Sequence, residues 1–238
     1  MLTLHRAALV LPDPADPTAP SLADGAVLVR GELVEAVGPY AGLAAAHPAA
    51  RVRDWGDALL TPGLRNPYGH WLLERAYHPD PREGVGDEPV PDGLAGERDE
   101  TRCGGSARRG LQRMLGCGVT AVAGPFERAS VRTAVARSGL AVLPGGGVVA
   151  GARAGAEAGT GAGPLDPLAV LPLAEAVHGR VAAGGRADFA VFAPGGVFAS
   201  QGQGQGQAEA RAQGRPDGPE AGECRATVLA GRLVFRRR

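Results

Sequence analysis

The sequence predicts an α/β chain, with strands at both ends and strand–helix units between them. Three observations carry this expectation. Short runs rich in leucine and β-branched residues fill the first sixty positions. Helical and buried-strand patterns alternate from Ser106 to Gly146, and alternating apolar runs return after Arg186.

Taken in order, Leu2 to Val10 reads as a strand closed by the loop PDPADPTAP. AVLVRGELVEAVG sets β-branched residues on either side of Arg30-Gly31-Glu32, a hairpin signal. Val52 to Trp55 adds a strand, and DALLTPGLRNPYGH is an apolar strand ending in a Gly/Asn/Pro turn. Residues 79–100 are acidic, rich in Pro and Gly and without hydrophobic period, hence a surface loop. Leu111, Met114 and Leu115 at helical spacing predict a helix from Ser106, its expected N-cap, to Leu115. VTAVAG follows as a buried strand, residues 127–138 give a second helix, and LAVLPGG gives a further strand. The Ala/Gly tract VVAGARAGAEAGTGAGP offers no core. A helix is expected from Pro167 to His178 and a strand at ADFAVFA. Residues 194–224, with QGQGQGQ, read as flexible. RATVLAGRLVFRRR forms two strands about a turn at Gly231-Arg232.

Composition narrows the function classes. Gly 38 and Pro 20 are 58 of 238 residues, close to the roughly 25–30% at which low complexity becomes the default. They gather in the loop and the two tracts, which leaves the strand-bearing segments ordinary. There is no lysine, so Schiff-base, phosphate-loop and general-base lysines are all excluded. The 25 basic and 25 acidic side chains balance, and no segregated basic run points to nucleic acid. Cys103, Cys117 and Cys224 are odd in number and widely spaced, so they predict small buried fillers rather than disulfides or a zinc knuckle. The N-terminal apolar patch is too short for a signal peptide, and no run reaches membrane-spanning length. A cytoplasmic protein is expected.

Three segments resemble the amidohydrolase superfamily, closest to its imidazolonepropionase and aminodeoxyfutalosine deaminase group. ALLTPGLRNPYGH is similar to the first-strand signature, in which Pro-Gly-x-x-Asn leads to a His-x-His pair. GLQRMLGCGVTAVAG resembles the following helix and second barrel strand. GGRADFAVFAP with RATVLAGRLVFR resembles C-terminal strands that complete a β-sandwich begun at the N-terminus. The resemblance implies an α/β fold, with a composite β-sandwich from both chain ends plus an incomplete (β/α) barrel-like layer. The expected division is 1–58 and 179–238 for the sandwich halves, with a flexible insert at 194–224. The shortened layer takes 59–178, with the low-complexity tract at 151–164. A complete barrel needs ~250 residues, and only three barrel strands are counted, near 59–64, 119–124 and 140–144. Three strands cannot close, so a loop, a helix or a second copy of the chain is expected to cover the open edge.

The resemblance also implies a divalent metal, zinc or iron, that activates water against a non-peptide C–N bond of a small-molecule substrate. Aligned on Pro62 to Asn66, His70 takes the second metal-histidine position, while Tyr68 stands where the first belongs. His70 is therefore the candidate metal ligand. Tyr68 is expected to pack or hydrogen-bond, and Asn66 and Gly63 to fix the turn. His70 and Glu74 are four apart and could pair on a helix. His78 could approach the site only through a loop, and the absent lysine excludes a carbamate-bridged metal pair. The acidic residues at 83–100 match no calcium motif. Three readings follow: an impaired hydrolase of the family type, a catalytically silent binding or assembly module, or a decayed gene product.

Overall fold

The computed structural model describes residues 2–144, 163–195 and 220–237. Most of the two low-complexity segments expected at 151–164 and 194–224 lies outside the described residues. The N-terminal third forms β1 (Leu2–Val10), β2 (Leu22–Arg30), β3 (Leu33–Pro39), α1 (Tyr40–Ala46), β4 (Arg51–Asp54) and β5 (Leu59–Pro62). The middle forms β6 (Leu64–Asn66), α2 (Gly69–Glu74), α3 (Glu100–Gly116), β7 (Val119–Ala123), α4 (Ala129–Ser138), β8 (Ala141–Leu143) and α5 (Leu173–Ala176). The chain closes with β9 (Phe189–Pro194), β10 (Ala221–Leu229) and β11 (Arg232–Arg236). Among the described residues no helix is long and apolar enough to cross a membrane.

The composite expected from both chain ends is built as one eight-stranded sheet. Its order is β11-β10-β9-β5-β1-β2-β3, with β4 also paired to β1. The sheet curls until its ends nearly meet. Val34 N–H donates to the Gly185 carbonyl, Gly184 N–H to Val34 and Ala187 N–H to Glu32, so the lead-in to β9 lies along the free edge of β3. The two hairpin turns also touch. Gly31 and Gly231 both take positive φ, as tight hairpins require, and a Cβ on Gly231 would stand 2.0 Å from the Gly31 carbonyl oxygen. Val27, Val29, Leu60, Phe189, Val191 and Val228 fill the inside of the curl. Leu4, Ala26 and Leu28 face outward, under Tyr40 and Leu43 of α1.

Leu59, Ala190, Phe192 and Leu229 face a second core, shared with α2, α3, α4 and the strands of a separate parallel sheet. Strands β5 and β9 are therefore buried on both sides, which explains their near-continuous apolar runs. The parallel sheet has the order β6-β7-β8. The strand expected at 59–64 is thus divided, with Leu59–Pro62 in the curled sheet and Leu64–Asn66 in the parallel one. Gly63 is the joint. Its N–H donates to the Asp188 carbonyl, and its carbonyl accepts from His178 N–H at 2.8 Å. Together with a bridge from Leu64 to Val177, this second bond lays residues 177–178 along the outer edge of β6.

Two local expectations are corrected. The first helix starts at Glu100 rather than Ser106, because the Asp99 carboxylate accepts from Thr101 N–H and caps it. Ser106 lies within the helix, fully buried, and its hydroxyl accepts from His78 N–H at 2.9 Å. The helix expected over 167–178 is reduced to a 3-10 turn at Pro167–Ala169 and the short α5. Pro172 lacks an N–H and interrupts the helical ladder between them.

Two histidines are buried in these cores, and both are held uncharged. His78 donates through Nε2–H to the Leu72 carbonyl at 2.8 Å, and burial pulls its pKa down to about 4. His5 lies within the curled sheet, where burial and then the Arg53 charge lower it to about 3. An unfolded imidazole takes its proton near 6.5. As pH falls below that value the unfolded chain binds protons that the folded chain refuses, so stability is lost. Each histidine contributes ~1.4 kcal/mol per pH unit in that interval. Urea unfolding is expected to show a loss of about 2–3 kcal/mol per histidine between pH 6.5 and 4.5. His78→Gln should flatten its share of that slope, and an unchanged slope would refute the assignment. At the joint, an alanine Cβ on Gly63 would sit 2.1 Å from Thr120 Oγ1 and 2.2 Å from its Cγ2. Gly63→Ala should cost about 3 kcal/mol in the same assay. Thr120→Ala removes both atoms but leaves a Cβ 2.6 Å away, so it should restore only part of the loss.

Candidate functional site

In parallel α/β layers the reacting groups collect at the carboxyl ends of the strands. At the end of β6 stand Asn66, Tyr68 and His70. Asn66 is fully buried, and its side chain is committed in both directions. Oδ1 accepts from Tyr68 N–H at 2.9 Å, which shapes the turn into α2. Nδ2 donates to the carbonyls of Pro164 and Leu165, at 3.0 and 3.1 Å. Residues 163–165 therefore cross over the end of β6. A Cβ on Gly163 would fall 1.8 Å from Tyr68 Cγ, so the backbone there lies against the phenol ring and leaves room only for glycine. Tyr68 packs, as expected, against the core shared with the parallel sheet.

The turn after β6 is tight because α2 begins where β7 ends. A Cβ on Gly69 would stand 2.8 Å from the Ala123 carbonyl oxygen. His70 follows on the exposed side of α2. The expected His70–Glu74 pair does not form. Glu74 is buried, and its Oε1 accepts from Arg128 N–H at 2.8 Å. Glu100 Oε2 accepts from Ser130 N–H at 3.1 Å, so two carboxylates from elsewhere in the chain cap α4 and complement its dipole. Glu100 is held below the usual carboxylate range by its bonds to Ser130.

The remaining histidines are scattered. His78 is fixed inside the helical layer, with its carbonyl accepting from Arg109 Nε at 2.8 Å. His178 meets Gly63, at the opposite end of β6. His5 lies beneath Trp55 in the curled sheet, and His47 follows α1. β7 and β8 run into Gly124-Pro125 and Pro144, which offer no ligating side chain. Among the described residues no three His, Cys, Asp or Glu side chains converge as a metal site would need. One imidazole, one phenol and one amide that is already bonded do not make a catalytic zinc set, which takes about three protein ligands. The residues present therefore do not fit the metal that the resemblance implies.

The acidic loop is likewise spoken for by neighbouring side chains. Glu83 accepts from the Tyr77 hydroxyl at 2.5 Å. Asp92 pairs with Arg75, Asp87 with Arg113 and Glu97 with Arg102. Cys103 and Cys224 are buried and Cys117 half-buried. Burial pushes the Cys117 and Cys224 thiols up to about 12 and about 11, which suits packing and not nucleophilic chemistry. Sequence reasoning missed Arg128, whose guanidinium reaches Glu100, Cys103 and the Glu97 carbonyl. Its only local signal is a charged residue just before a helical period. It also missed Asp188, whose carboxylate accepts from Ala230 N–H at 2.7 Å and so holds the last hairpin turn.

Residues 25–50 match the family model described as the imidazolonepropionase-like composite domain of bacteria. A stretch of 50 residues is 40% identical to imidazolonepropionase of Pyrobaculum arsenaticum, covering 21% of this chain and 13% of that enzyme. Among solved structures, guanine deaminase from Bradyrhizobium japonicum is 19% identical with a TM-score of 0.43, over 60% of this chain and 34% of its own. E. coli guanine deaminase gives 17% and 0.45, over 60% and 35%. An adenosine deaminase from Xanthomonas campestris with bound zinc gives 24% and 0.41, over 59% and 33%. The match thus spans about a third of the length of these structures. It is through residues 25–50, in β2, β3 and α1, that this chain resembles the imidazolonepropionase-like composite domain.

Proposed function

We propose that this chain is a catalytically silent amidohydrolase-like protein in which the curled sheet serves as a binding module. One observation carries the reading. The side chains at the end of β6, where the family metal would be gathered, are turned to holding residues 163–165. Asn66 is fully used by that contact and the turn, Tyr68 lies under Gly163, and His70 alone stays available. A second imidazole supplied at position 68 would still lack a third ligand among the described residues. The family model covers only residues 25–50, so it supports the sheet and is neutral on chemistry at the strand ends. Hydrolysis of a non-peptide C–N bond with metal assistance is the competing reading.

Metal analysis and ammonia release separate the two. Purified chain dialysed against zinc or ferrous iron is expected to retain far less than one ion per molecule. Tyr68→His should leave that figure unchanged. Guanine, adenosine and imidazolonepropionate should yield no ammonia above the buffer rate. Near-stoichiometric metal that disappears in His70→Ala, accompanied by turnover, would sink the silent reading.

A further inference from the structure

Half of the arginines on or beside the strands of the curled sheet meet carboxylates. Arg6 pairs with Asp24 and Asp54, Arg30 with Glu35, Arg225 with Asp57 and Arg237 with Glu223. Arg51, Arg53 and Arg236 differ, as does Arg232 at the other end of β11. Among the described residues, no carboxylate lies within ion-pair distance of any of the four.

The fold nevertheless gathers the first three. Arg51 and Arg53 are two apart on β4 and so share one face of the strand. In the pairing with β1, Arg51 stands opposite Thr3 and Arg53 opposite His5. The chain leaves β4 through Trp55, whose indole is fixed from below. It stacks on His5 at 6.0 Å between ring centroids, with the planes 22° apart, and Nε1 faces His5 Nδ1 at 3.4 Å. His5 in turn meets Phe189 edge-on at 4.9 Å. Arg236, at the end of the last strand, places its guanidinium 5.8 Å from the centroid of the same indole. The curl brings these distant segments together, and Arg225 locks the join by donating to the Trp55 carbonyl and to Asp57. Partial burial of Arg53, and after it the charges of Arg51 and Arg236, lower its proton affinity.

Two like charges on one face of β4 and a third beside the neighbouring indole repel one another, and each guanidinium carries five N–H donors in a fixed fork. A tetrahedral oxyanion accepts such forks bidentately and neutralises several cations at once. We propose that Arg51 and Arg53 on β4, together with Arg236 beside the Trp55 indole, form a binding site for a small phosphate-bearing anion. The site lies on the curled sheet, away from the strand ends of the parallel layer, and does not depend on whether any hydrolysis survives there.

Pyrophosphate is the probe, titrated into the full chain at constant ionic strength and followed by calorimetry and tryptophan fluorescence. Trp71 is buried, so the fluorescence change reports Trp55. Saturable binding with a Kd below about 1 mM is expected. Arg51→Gln, at an exposed position, should weaken it at least fivefold, and so should Arg53→Gln and Arg236→Gln. Arg232→Gln, at the far end of β11, should leave it unchanged. Absence of saturation, equal affinity in all four variants, or the same response to chloride would overturn the site. So would a single-stranded oligonucleotide whose affinity climbs with length well beyond that of pyrophosphate, because the patch would then be a polyanion surface.

Discussion

Both halves of this protein depend on the backbone at Gly63. The residue leaves a strand of the curled sheet and enters a strand of the parallel one within a single peptide unit. Its N–H bonds to the residue before β9, and its carbonyl bonds to His178. The space where a side chain would stand is taken by Thr120 from β7. Three segments far apart in sequence thus converge on one Cα. The requirement here is close approach and not conformation, since Gly63 does not adopt positive φ. Because Leu59 before this joint and Leu64 after it belong to the same core cluster, the two sheets pack as one hydrophobic unit.

The curled sheet has its own closure, built from the two ends of the chain. The lead-in to β9 bonds to β3, Gly231 rests on Gly31, and Asp188 holds the turn at Ala230. Ala230 takes a positive φ of 49°, which a residue with a Cβ adopts only at some cost, and the Asp188 bond offsets that cost. None of these contacts involves β7, β8 or α4. The sheet can therefore persist while the layer inserted between its halves changes in length and in chemistry. A site at the layer's strand ends is the part most exposed to such change, and there the chain has turned its polar groups inward.

Much of this architecture is legible in the sequence, for physical reasons that differ from element to element. β9 and β10 are readable because burial on one or both faces demands apolar runs, and the β2–β3 hairpin because only glycine suits its turn. The helix start at Asp99 was not readable from the apolar period alone. The period is visible only from Leu111 on, since the first turns of α3 bury Cys103, Gly104 and Ser106. These are small residues, admitted by the close approach of α4, where a Cβ on Gly104 would lie 3.2 Å from Ser130. At the candidate site the order of residues marked Tyr68 and His70 correctly as neighbours of a strand end. What could not be read was the destination of Asn66, because its partners lie 98 and 99 residues away.

Charge shows the same limit of linear reading. A formal net charge of zero, with Arg236-Arg237-Arg238 as the one dense basic cluster and readable as a solvated end, argues against a basic face when the chain is read from end to end. In three dimensions the neutrality turns out to be local. Loop carboxylates meet arginines from α2 and α3, and sheet carboxylates meet Arg6, Arg30 and Arg225. Pairing of this kind weakens the field, and positive charge remains where the pairing fails. One such place is the corner where Trp55, just after β4, meets the end of β11, and its members come from segments far apart in the chain. The curl that lets two termini share one core is therefore also what brings Arg236 to the Trp55 indole, just past the strand that carries Arg51 and Arg53.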